Sequence, residues 1–233
     1  MRILPCGFDG ALIEFSQRIS PSIHRRTIRF SKAIEDARIL GVLEVVPSYC
    51  SLLLRYDPLL TEFAALAHQI RALKRQSGSG GAPEGPVRYI PVRYGGDAGP
   101  DLIDSAKACV LSPEQLIATH LSKTYRVYAI GFLPGFPYLG LLPKSLSLPR
   151  LDIPRKRVTK GSVAIASRQT GIYPRESPGG WRLIGQTPFE LFCETEDPPT
   201  LLQTGDRVRF VAIDGAEDEA IRRRVSQGNW MRF

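Results

Sequence analysis

Residues 76–86 read QSGSGGAPEGP. Glycine, serine and proline dominate this stretch, and nothing in it can pack a core, so it reads as a flexible linker. A chain of 233 residues has room for two small domains. The linker therefore predicts a small α/β domain over residues 1–80, the end of the linker at 81–86, and a second domain over 87–233.

The sequence before the linker alternates strand and helix signals. Ala11 to Phe15 reads as a strand. Ser20-Pro21 is a helix start, with serine as N-cap and proline at the first helical position. Phe30, Ile34 and Ala37 recur at helical spacing, and Gly41 ends the run. Val42–Val46 and Tyr49–Tyr56 are β-rich. Asp57-Pro58 opens a second helical pattern with Phe63, Leu66, Ile70 and Leu73 on one face. The order predicts a ferredoxin-like α+β sandwich, completed by a strand near Arg88–Val92.

After the linker the texture changes to short β-runs separated by glycine and proline. These are Tyr125–Ile130, Ser162–Ala166, Trp181–Ile184, Phe189–Cys193 and Arg207–Ile213. One helix starts at Ser112, where Gln115 stands at capping-box spacing. This pattern predicts a closed mainly-β barrel or a sandwich.

Composition narrows the function classes. Hydrophobic residues make up 43% and charged residues 23% of the chain, as in a protein with a buried core. No apolar run reaches the length of a membrane span, and the N-terminus lacks a secretory pattern, so a cytoplasmic protein without a membrane partner is expected. Cys6, Cys50, Cys109 and Cys193 are scattered and read as buried thiols. His24, His68 and His120 form no ligand motif, so no intrinsic metal is expected. The net charge is +8. The arginines are dispersed without a nucleic-acid motif, which favours a basic surface or a small-anion site over nucleic acid.

P-loop, dinucleotide and nucleophile-elbow motifs are absent. Three unusual stretches remain. GFLPGFPYLGLLP (131–143) places Phe132, Phe136 and Tyr138 in a stiff loop suited to an apolar pocket or a partner surface. PRLDIPRKRVTKGS (149–162) fixes Arg150 and Arg155 behind prolines, which suits carboxylate or phosphate recognition. QTGIYPRESPGGW (169–181) offers Gln169, Thr170, Tyr173 and Ser177 as polar contacts. Its Gly179 and Gly180 allow close backbone approach, and Trp181 is either a core residue or a contact.

Together with IPVRYGGDAGPDL (90–102) and LLQTGDRVRF (201–210), these stretches resemble the family of the 5-oxoprolinase B subunit, also called the KipI or allophanate hydrolase subunit 1 family. The resemblance spans nearly the whole chain and is weaker before the linker. It implies an α/β N-terminal domain and a cyclophilin-like β-barrel. It also implies work beside a C-type subunit and a third, hydrolase-type subunit in ATP-dependent opening of 5-oxoproline to glutamate. ATP is then used by the complex and is not assigned to this chain. Relatives act in allophanate hydrolase or as the carboxyltransferase part of urea carboxylase, and one branch inhibits a sensor histidine kinase. The chain departs from the family pattern at GFDGALIEFSQ, VTKGSVAIAS and GQTP, where Gln186 replaces an arginine.

Two readings follow. In the first, Arg150, Arg155, Gln169, Thr170, Tyr173, Ser177, Gly179 and Gly180 form a substrate site, and Phe132, Phe136, Tyr138 and Trp181 face a partner that supplies the acid–base groups. In the second, the apolar loop docks on a signalling kinase as a regulator.

Overall fold

The computed structural model describes residues 1–76 and 83–227. Part of the expected linker thus lies outside the described residues. The chain divides into two compact units, Met1–Glu84 and Gly85–Phe233.

The first unit runs β1 (Arg2–Cys6), β2 (Gly10–Glu14), α1 (Pro21–Ala37), β3 (Val42–Ser48), β4 (Ser51–Tyr56) and α2 (Phe63–Gln76). Its sheet has the order β1-β2-β4-β3 and is antiparallel throughout. Alternate residues Ala11, Ile13, Leu52, Leu54 and Tyr56 meet Phe30, Ile34, Leu66 and Ile70 of the helices in one buried cluster. Ser20 caps α1 as expected, its Oγ accepting from the Ile23 N–H at 3.2 Å. The second helix starts later than expected, because the Asp57 carboxylate accepts from the Leu59 N–H at 2.9 Å and holds a turn there.

The ferredoxin-like expectation requires a strand after the second helix. That strand, β5 (Val87–Tyr94), lies in the second unit instead. The fourth strand of the first sheet is β1, whose largely exposed residues carry no alternation strong enough to read.

The second unit continues with α3 (Leu102–Ala108), α4 (Pro113–Leu121), β6 (Tyr125–Ile130), β7 (Pro137–Gly140), β8 (Arg155–Val158), β9 (Ser162–Ala166), β10 (Gln169–Ile172), β11 (Ser177–Gly179), β12 (Arg182–Gln186), β13 (Arg207–Ala212) and α5 (Gly215–Ser226). Seven strands close a barrel in the order β10-β7-β6-β13-β5-β12-β9. β8 and β11 form a separate two-stranded ribbon. The expected strand Phe189–Cys193 is reduced to a single bridge between Phe192 and Thr200. The cysteines are free thiols, but Cys6 is exposed and the other three are half-buried, against the expectation of burial.

β9 shows how the barrel is packed. All five of its residues are buried. Val163 and Ile165 belong to the barrel core with Val127, Leu139, Ile184 and Phe210. Ala164 and Ala166 face the other way, into a second cluster with Phe136, Tyr173, Trp181 and Leu183. A strand covered on both faces reads as a continuous apolar run, which is what SVAIA is.

His120, on α4, is fully buried in the barrel unit. Its ring stacks on Phe210 with centroids 4.6 Å apart. The Thr170 hydroxyl donates to the Ala164 carbonyl at 3.0 Å, so it accepts from His120 Nε2–H at 3.1 Å. Nδ1 is then the acceptor for the Tyr94 hydroxyl at 2.8 Å. Burial pushes the imidazole pKa down to about 3. In the unfolded chain the ring titrates near its ordinary value of about 6.5. The unfolded state therefore binds the proton first, and stability contributed by the neutral ring is lost as pH falls from about 6.5 towards 3. Urea unfolding should show about 2 kcal/mol less stability at pH 5 than at pH 7 from this group. His120→Gln should remove that part of the pH dependence.

Candidate functional site

Beside the second cluster lies a cavity of about 280 Å³. Phe132, Phe136, Tyr138, Tyr173 and Trp181 supply its aromatic lining, with Arg150, Pro154, Pro178, Gly179 and Gly180 completing the wall. Eight of the twelve residues singled out from the sequence are thus brought together.

Phe136 is the hub. Its ring meets Phe132, Tyr138, Tyr173 and Trp181 edge-on at centroid distances of 5.6, 5.0, 5.2 and 5.7 Å. Edge-to-face pairs match the positive rim of one ring to the negative face of the next. The loop between β6 and β7 delivers this ring. Gly131 N–H bonds the Phe136 carbonyl at 3.1 Å, and Phe136 N–H bonds the Leu133 carbonyl at 3.0 Å. Phe132 sits at φ 69°, a left-handed conformation costly for a bulky side chain. It is also 62% exposed, so the strain holds an aromatic ring at the cavity in contact with solvent.

Tyr173 forms the back wall. Burial pushes its hydroxyl pKa up, against the pull of the Trp181 backbone N–H and of the Arg150 and Arg155 charges. Tyr138 is raised by burial in the same way, again opposed by Arg150. Both phenols therefore stay protonated through the neutral range. Arg150 is exposed, and no carboxylate among the described residues pairs with it. The lining holds one guanidinium, two neutral phenols and no histidine, cysteine or carboxylate. Such a set binds and orients an anion-bearing molecule but has no general base.

The other four candidates stand outside the lining. Thr170 is fully buried, committed to His120 and Ala164. Gln169 starts β10, paired with Gly140 and Ala166. Ser177 lies in β11, buried, with its hydroxyl bonded to the Pro178 carbonyl at 3.1 Å. Arg155 donates from Nη2 to Asp101 Oδ1 at 2.6 Å. Asp101 was missed by sequence reasoning. Its signal was the glycine-rich GGDAGPDL segment, whose second aspartate precedes an apolar helix.

Gln186 is also occupied. Its Nε2 donates to the Lys160 carbonyl at 2.7 Å, and its Oε1 accepts from Arg222 Nη2 at 3.3 Å.

Gly179 and Gly180 differ in their tolerance. A Cβ on Gly179 would overlap the Tyr173 hydroxyl and ring edge, whereas one on Gly180 would rest 3.6 Å from Pro154. Gly179→Ala is expected to lower stability by about 1–3 kcal/mol and to displace Tyr173. Gly180→Ala should change stability by no more than about 0.5 kcal/mol. Chemical denaturation of the two variants, with Trp fluorescence as the signal, checks this contrast.

The carboxyltransferase domain, subdomain C and D, family model matches residues 1–202. A Bacillus subtilis protein, named as the B subunit of 5-oxoprolinase, is 37% identical over 217 residues, covering 89% of this chain and 90% of that protein. A Haemophilus influenzae protein of the same name is 53% identical over 128 residues, covering 55% of this chain and 60% of its own length. The solved structure of TTHA0988 superposes with a TM-score of 0.78 at 40% identity. It covers 88% of this chain, while the chain spans only 40% of the TTHA0988 chain. The chain belongs to the family of the carboxyltransferase domain, subdomain C and D, alongside relatives that carry the name of the 5-oxoprolinase B subunit.

Proposed function

We propose that this chain is the B subunit of an ATP-dependent 5-oxoprolinase, acting with a C-type subunit and a third, hydrolase-type subunit. The relatives' names support the reading at the level of the family. The observation that carries it at the site is the guanidinium of Arg150, without a carboxylate partner among the described residues, at an aromatic cavity that has no general base. A volume of about 280 Å³ suits a small metabolite rather than a large cofactor. 5-Oxoproline offers a compact ring for the aromatic walls and a carboxylate for Arg150. The phenols of Tyr138 and Tyr173, as neutral groups, add polar contacts without taking a proton.

Hydrolysis of a lactam adds water across the C–N bond and needs proton transfer to the leaving nitrogen. The neutral phenols can donate a proton, but the lining has no base to activate the water, so in this reading a partner supplies it, and the site is shared. Magnesium-bound ATP does not fit the cavity. A triphosphate and its cation call for several cations and a carboxylate, and the lining has one arginine and no acid. ATP is then bound elsewhere in the complex.

The test is co-expression with the other two subunits and measurement of ATP-dependent glutamate release from 5-oxoproline, omitting each component in turn. Activity should require all three. Arg150→Ala should raise the KM for 5-oxoproline about 10- to 100-fold, the effect of losing one charge-assisted contact. Unchanged KM would remove Arg150 from substrate recognition. An assembled but inactive complex would move the substrate towards allophanate or urea.

A further inference from the structure

The Asp101 carboxylate stands at the start of α3, only 8% exposed, and does not cap its own helix. Its Oδ1 accepts from Arg155 Nη2 at 2.6 Å, and its Oδ2 accepts from the Leu183 backbone N–H at 2.7 Å. The Asp101 N–H in turn donates to the Leu183 carbonyl at 2.9 Å. Upstream, the Gly95 N–H reaches the Ile184 carbonyl at 3.1 Å. Gly99 lies so close that a Cβ there would overlap the same carbonyl. The segment 95–101 is therefore pressed along β12.

Arg155 connects this clamp to the cavity. It opens β8, where its Cα is paired with Gly179 of β11. One carboxylate thus ties together α3, the ribbon that carries Gly179, and the strand whose Leu183 packs in the cluster with Trp181 and Tyr173. The pair is partly shielded, with the two side chains 30% and 12% exposed, so the charge-assisted bond is stronger than a surface pair. Arg155 Nη1 is buried without a hydrogen-bond partner, and Arg155 is absent from the cavity lining, where Arg150 stands instead.

We propose that Asp101 and Arg155 form a positioning couple that sets the Gly179 wall of the cavity, and that Arg155 does not touch the bound molecule. The proposal rests on the reading of this cavity as a ligand site. Asp101 acts through Arg155, so the two residues contribute as one unit, and their substitutions should not add.

The experiment compares Asp101→Asn, Arg155→Met, the double variant and Arg155→Lys. Asparagine keeps an acceptor for the Leu183 N–H while removing the charge. Two readouts are taken: amide hydrogen exchange of the full chain across residues 173–183, and the KM for 5-oxoproline in the assembled complex. Both single variants should speed exchange across 177–181 and raise KM by a similar factor, about tenfold. The double variant should do no more than either alone, and Arg155→Lys should recover most of the loss. A much larger KM effect for Arg155→Met than for Asp101→Asn, with an additive double variant, would make Arg155 a ligand contact and overturn the proposal. Exchange unchanged in both single variants would overturn it as well. A complex without 5-oxoprolinase activity would instead count against the functional reading, and the exchange data alone would then decide the couple.

Discussion

The outer face of β9 is covered by rings rather than by water, and the cavity depends on that. Ala164 and Ala166 leave room outside the barrel, and Phe136, Tyr173 and Trp181 fill it in a shared buried cluster. A larger side chain at either alanine would push the rings outward. The strand is therefore both the inner wall of the barrel and the base on which the cluster is built. Fold and cavity share these few residues, Phe136, Tyr173 and Trp181 belonging to both.

The wall itself carries little reactive chemistry. The aromatic hub fixes shape, and burial keeps both phenols protonated. Arg150 is the one charge in the lining. The contrast with His120 is instructive. It is the residue a search for catalysts would choose first, yet both its nitrogens are bonded inside the barrel unit and its charge is suppressed. It stabilises packing and is not presented to the cavity.

Tertiary contacts also separated arginines that look alike in sequence. Arg150 and Arg155 both follow a proline in one basic stretch. The first stands at the cavity; the second is held by Asp101. No local feature of the stretch distinguishes them, because the acid that claims Arg155 lies 54 residues away in the chain. Thr170 misled for the same reason, since a polar side chain in a turn-like motif was claimed by a histidine 50 residues away.

The sequence by itself determined the capped helices α1 and α4, the barrel strands β6, β9 and β13, and the motifs that surround the cavity. These are local signals: caps, turn residues and apolar runs act over a few residues. A capping box at Asp214 and Glu217, equally local, marks the start of α5. Only the tertiary structure decided that β5 joins the barrel rather than the first sheet, through its parallel pairing with β13 and its antiparallel pairing with β12. It alone decided which polar residues of the three motifs reach the cavity. Strand partnership and side-chain pairing are set by contacts between distant segments. Such contacts leave no periodicity in the segments they join.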